Sequence, residues 1–128
     1  MSEKARILVV DDDPDFIDAT RTVLESGPYQ VSVAYDGDEG LEKVRAEKPD
    51  LIILDIIMPT QDGFQVCEKI KEDPELSGIP VIMLTSLSQQ LSQTSYSVQE
   101  GMMLEAEDFI DKPVKPAELL ARVKKLLK

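Results

Sequence analysis

The chain of 128 residues contains no histidine. That absence removes Ser–His–Asp and Cys–His nucleophilic catalysis and any His-ligated zinc site. With one cysteine, Cys67, the chain cannot close an internal disulfide. A reduced compartment is the simplest reading, and the cytoplasm is expected. No apolar run approaches the ~20 residues that a membrane span needs. The amino-terminal stretch MSEKARILVV has neither a long apolar core nor a small-residue cleavage site, so no secretion signal is expected. A basic stripe is missing too, and the net charge of −11 predicts repulsion from nucleic acid and acidic membranes. No G-x-G-x-x-G follows the first apolar run, which leaves dinucleotide binding without support. Chemistry in this chain falls to carboxylates, hydroxyls, lysine and a hard metal.

What is present describes one globular domain. The length suits a single sizeable core, and 42% hydrophobic with 30% charged residues is a soluble balance. Short apolar runs alternate with amphipathic stretches, the pattern of an α/β domain with a parallel sheet. The candidate strands are 7–10, 30–34, 51–54, 81–84 and 108–110. Candidate helices are 14–25, 38–47, 64–72, a poorly marked one within 88–104, and 116–127. Asp13 followed by Pro14 reads as an N-cap and first-turn proline, and Gly27-Pro28 ends that helix. Asp62-Gly63 marks a turn before the third helix and Asp73-Pro74 its end. Cys67 falls at helical spacing with Phe64 and Ile70, as a small core residue would. The last helix collects Leu119, Leu120, Val123, Leu126 and Leu127 on one face.

Strand composition suggests strand order. Runs 7–10, 51–54 and 81–84 are solidly apolar, as strands covered on both faces are. The second alternates and the fifth is short and mixed, as edges are. Right-handed crossovers then give the order 2-1-3-4-5, with the reversal between strands 1 and 3. Open α/β sheets bind ligands at that reversal, outside the carboxyl ends of the strands.

Asp11, Asp12 and Asp13 follow the first strand, Asp55 follows the third, Thr85 ends the fourth and Lys112 follows the fifth. Taken singly, each has an ordinary explanation. Asp13 is a cap, Asp55 a turn residue, Thr85 a hydroxyl bonded to backbone, Lys112 a surface lysine and Phe109 core packing. Their coincidence at the strand ends of one crevice is what stands out. Two carboxylates ~4 Å apart repel by ~4 kcal/mol at an effective dielectric of about 20. Such a cluster needs a cation or raised pKa values, and oxygen-only ligands favour Mg²⁺.

The segments ILVVDDDPDF, LIILDIIMPTQDGFQV, IPVIMLTS and AEDFIDKP resemble those of response-regulator receiver domains, over essentially the whole chain. The resemblance implies a flavodoxin-like (βα)5 doubly wound sheet. It implies Asp11 and Asp12 as the metal-binding acidic pair, with Asp12 the more direct ligand. Asp55 matches the phosphoacceptor, which also touches Mg²⁺, as does the backbone carbonyl of Ile57. Thr85 matches the hydroxyl that grips the phosphoryl group, Lys112 the cation that neutralises it, and Phe109 the switch aromatic. It further implies a cis Lys112–Pro113 bond. The expected function is a phosphoryl-accepting switch of a two-component phosphorelay, phosphorylated by a histidine kinase or phosphotransfer protein. It is expected to be a phosphoacceptor with at most slow self-dephosphorylation, not an enzyme. Output would run through a downstream protein at the fourth helix, fifth strand and fifth helix. The sequence stops at Lys128, directly after the last candidate helix, so a single receiver domain over 1–128 without an output domain is expected.

Two alternatives stay open. Asp11 and Asp13 satisfy the D-x-D spacing of a Mg²⁺-dependent phosphohydrolase with an aspartyl nucleophile, although no later acidic pair is convincingly placed at a strand end. An inert receiver-like interaction module is the other, opposed by the intact set Asp11, Asp12, Asp55, Thr85 and Lys112.

The chain also departs from the family. The stretch between Thr85 and Lys112 is longer than usual, and Glu105 stands where a glycine often precedes the alanine at Ala106. Residues 88–99 are rich in serine and glutamine, with weak helix propensity. Met102, Met103 and Leu104 are either a buried helix face or an exposed partner patch, and this segment is expected to carry partner specificity. Ile57 and Leu87 occupy positions that influence hydrolysis in the family; being apolar, they predict a long-lived phosphoryl group. Phe109 lacks the phenol hydroxyl often found there, so an inward ring is expected even without phosphate.

Overall fold

The computed structural model describes residues 4–56, 58, 62–85, 106–112 and 114–127. Five strands and four helices lie within them: β1 (Ala5–Val10), α1 (Pro14–Glu25), β2 (Tyr29–Ala34), α2 (Gly37–Glu47), β3 (Leu51–Asp55), α3 (Gly63–Glu72), β4 (Val81–Thr85), β5 (Asp108–Asp111) and α4 (Pro116–Leu127). Here α4 is the fifth helix anticipated from sequence. The fourth, within 88–104, lies outside the described residues, as do Met102, Met103, Leu104, Leu87, Ile57 and the Lys112–Pro113 bond.

All strands pair in parallel, in the order β2-β1-β3-β4-β5. The three apolar runs are the inner strands, as a sheet covered on both faces requires. Because strand side chains alternate, each inner strand feeds both faces. Leu8, Val10, Ile52, Leu54, Val81 and Met83 pack with Leu41, Val44, Val66, Cys67 and Ile70 of α2 and α3. Ile7, Val9, Leu51, Ile53, Ile82 and Leu84 pack with Ile17, Leu24, Leu119 and Val123 of α1 and α4. The sheet is thus doubly wound, with two helices on each face among the described residues.

Local chemistry sets the element ends. The Asp13 side chain accepts from the Asp15 N–H, with Pro14 in the first turn, so α1 begins directly behind the acidic triplet. Asp62 and Gln65 form a reciprocal capping box at the start of α3. β3 runs one residue beyond its apolar stretch because Asp55 stays in the ladder opposite Leu84. β5 is pinned at its start, where Glu107 accepts from the Val81 N–H at 2.8 Å and from Lys71 Nζ at 2.9 Å. That anchor fixes the register from which Lys112 leaves the strand.

Candidate functional site

The reversal between β1 and β3 gathers the predicted side chains. Asp11, first after β1, is held by its backbone N–H, which donates to the Ala34 carbonyl at 3.0 Å. Its carboxylate is fully buried. Oδ1 accepts from the Asp13 N–H at 3.0 Å and Oδ2 from Lys112 Nζ at 3.0 Å. Asp55, at the carboxyl end of β3, is 5% exposed. Its Oδ1 lies 3.2 Å from the same ammonium. Asp12 is exposed beside them. One carboxylate oxygen from each of Asp11, Asp12 and Asp55 lies within 4.8 Å of the others, close enough to share one metal ion.

The charges do not balance locally, and the pKa values show it. Burial raises the Asp55 carboxyl to about 6, the neighbouring Asp11 adds to the rise, and Lys112 opposes it. Burial also raises Asp11, against the Asp13 N–H and Lys112, which hold it down. For Lys112, burial favours the neutral amine, but the hydrogen bond it donates to Asp11 and the charges of Asp55 and Asp11 outweigh it, so the value rises. Three carboxylates around one lysine leave excess negative charge that a cation would relieve. The donors are all oxygen, with no histidine or thiolate among them, which suits a hard divalent ion.

Of the other predicted residues, Thr85 ends β4 in register with Asp111. Phe109 lies on β5 opposite Met83, half-buried against the layer that contains α2 and α3. Arg122 of α4 secures that strand by donating to Asp108 Oδ1 at 2.7 Å and to the Phe109 carbonyl at 3.1 Å. Asp13 is the α1 cap, and its N–H serves Asp11.

Two residues carry more than the sequence reading gave them. Gly63, read as a turn marker, donates its N–H to the Ile56 carbonyl at 2.6 Å. A Cβ there would overlap the Asp55 carbonyl oxygen and come within 2.8 Å of the Ile56 Cα. The start of α3 therefore rests directly on the backbone that carries Asp55. Phe16, read only as part of a matching segment, places its ring under Lys112, 4.5 Å from Nζ to the centroid. The Phe16 contact joins residues distant in sequence, the Gly63 contact spans the loop from β3 to α3, and neither residue type announces such a contact.

The chain is similar to known proteins in sequence and fold. The sequence profile of the response regulator receiver domain matches residues 7–124. The alkaline phosphatase synthesis transcriptional regulatory protein PhoP of Bacillus subtilis is 37% identical over 123 residues, 96% of this chain and 48% of that protein. The DNA-binding dual master transcriptional regulator RpaA of Synechocystis is 40% identical over 123 residues, 96% of this chain and 49% of its own. The chain thus spans about half the length of these curated relatives. The signal receiver domain of a signal transduction histidine kinase from Syntrophus aciditrophicus superimposes with a TM-score of 0.85 at 37% identity, covering 96% of this chain and 89% of that one.

Proposed function

The chain belongs to the response regulator receiver domain family, and from that premise we propose that it accepts a phosphoryl group on Asp55 and passes the change on through protein contacts. The observation that carries this is the ammonium of Lys112 held 3.0 Å from Asp11 and 3.2 Å from Asp55, at the strand-order reversal, beside a three-carboxylate cluster.

An Asp55 carboxylate oxygen attacks the phosphorus of a phosphohistidine in a kinase or phosphotransfer protein. The new O–P bond forms as the P–N bond breaks, and the leaving imidazole keeps the electron pair. Nucleophile and phosphoryl group are both anionic, so charge neutralisation and positioning supply the catalysis. Lys112 is already on the attacking carboxylate and offers positive charge to the arriving oxygens. Asp11 orients Lys112 and is itself oriented by the Asp13 N–H. Asp11, Asp12 and Asp55, with the Ile57 carbonyl that the resemblance adds, would hold Mg²⁺, which supplies a second positive charge at the reacting group. Thr85, at the end of β4, provides the hydroxyl for a phosphoryl oxygen, and Phe109 responds to it. The negative charge and oxygens that the phosphoryl group adds at Asp55 then bias a two-state surface around β5 and α4.

Family membership favours this single-acceptor chemistry over the repeated turnover of a phosphohydrolase. The natural setting is the cytoplasm, consistent with the lone thiol; no helix among the described residues is long and apolar enough to cross a membrane. The test is incubation with acetyl phosphate and Mg²⁺ followed by intact mass measurement. The protein gains the mass of a phosphoryl group, and Asp55→Asn does not. Equal gain by the variant would assign the label elsewhere and refute the proposal.

A further inference from the structure

Phe16 takes no part in the chemistry above, yet its ring lies against the cation at its centre. The 4.5 Å separation of Lys112 Nζ from the centroid is within the range where the ring quadrupole attracts an ammonium. The contact is fixed by the fold. The Asp13 cap and Pro14 start α1 immediately after the acidic residues, so the turn that delivers Asp11 and Asp12 also delivers Phe16. Phe16 packs in the layer that holds Leu119, and with Lys112 it lines the groove between α1 and the start of α4.

Among the described residues, Lys112 Nζ therefore meets three groups: Asp11 Oδ2 at 3.0 Å, Asp55 Oδ1 at 3.2 Å and the Phe16 ring. Both carboxylates change during the reaction. Asp55 gives up an anionic oxygen when the O–P bond forms, and Asp11 has to share its charge with a metal ion. The ring neither titrates, nor ligates metal, nor reacts. It is the constant partner of a lysine whose other partners vary.

We propose that Phe16 is a positioning residue for phosphoryl transfer, its ring face keeping the Lys112 ammonium in the pocket while the charges of Asp11 and Asp55 change. The inference rests on the proposed role of Lys112 at the phosphoryl group. Phe16→Leu retains apolar bulk and removes the ring, whereas Phe16→Tyr retains the ring face. In metal-free, unphosphorylated protein, the Lys112 side-chain NMR resonances carry an upfield ring-current shift in the wild type and in Phe16→Tyr, and lose it in Phe16→Leu. With acetyl phosphate and Mg²⁺, Phe16→Leu labels about three- to tenfold more slowly, Phe16→Tyr restores the rate, and Mg²⁺ affinity is the same in all three. Should the leucine variant fail to fold in a urea titration, Phe16→Met replaces it with the same slowing expected. A leucine variant as fast as wild type, or a tyrosine variant as slow as leucine, overturns the inference. Wild-type protein that takes no label at all overturns the proposed function, and this inference with it.

Discussion

Replacing Asp55 by asparagine should stabilise the metal-free domain at neutral pH, although it destroys the phosphoacceptor. Burial and Asp11 raise the Asp55 carboxyl from its ordinary 3.8 to about 6. At about 1.4 kcal/mol per pH unit, keeping it ionised in the fold costs about 3 kcal/mol relative to the unfolded chain. Asparagine fills the same space without the charge, and Lys112 keeps Asp11 as its partner. Between 3.8 and about 6 the native state holds more protons than the unfolded state, so wild-type stability falls as pH rises through that window. Below it, both states are protonated and the two proteins should match. Above it, the variant should lead by about 1–3 kcal/mol, the low end allowing for its weaker contact with Lys112. Urea unfolding in the presence of a chelator, at about pH 4 and about pH 7.5, measures the difference. A variant less stable at neutral pH, or a gain that does not shrink on acidification, would refute the electrostatic account of the pocket.

Further consequences can be checked in the same preparations. Mg²⁺ should raise the urea midpoint of the wild type, and Asp12→Ala, which alters an exposed member of the cluster, should abolish that rise with little effect on metal-free stability. Gly63→Ala should cost about 1–3 kcal/mol and slow labelling by acetyl phosphate, because the added methyl displaces the backbone at Asp55 and Ile56; labelling at the wild-type rate would remove Gly63 from the site. Lys112→Met should suppress labelling while leaving the urea-resistant fold measurable, and unaltered labelling would show that its contacts with Asp11 and Asp55 are incidental. Ile57→Asn should hasten loss of label from purified phosphoprotein, and an unchanged decay would remove the apolar side chain as the reason for a long-lived phosphoryl group.

Where one physical rule governed an element, the sequence displayed it. The apolar runs 7–10, 51–54 and 81–84 became the inner strands, and the alternating and short runs became the edges, because burial on both faces leaves no room for polar side chains. Asp13 and Pro14 capped α1 as their chemistry dictates. The strand order then brought Asp11, Asp55 and Lys112 together without reference to any contact. Strand ends moved by one or two residues, as at Asp55, since ladder pairing continues past the apolar stretch. Gly63 and Phe16 were less legible because their roles depend on approaches across the fold: helix start on strand end, and ring under a lysine far along the chain. Asp62-Gly63 has the look of any turn, and Phe16 that of any apolar helix position. The Asp11 and Asp12 pair illustrates the middle case. Their adjacency exceeds what one cap needs, but only the geometry shows one carboxylate buried on Lys112 and the other facing solvent.

The central claim is that a lysine and a metal make it tolerable for one buried carboxylate to bond to phosphorus. Its most direct test is to treat the protein with acetyl phosphate and Mg²⁺, trap the acyl phosphate reductively, and map the modified peptide. The account predicts one modified side chain per molecule, at Asp55, and no modification when Mg²⁺ is chelated. Modification at another residue, or continued release of phosphate without accumulation of the trapped species, would contradict it.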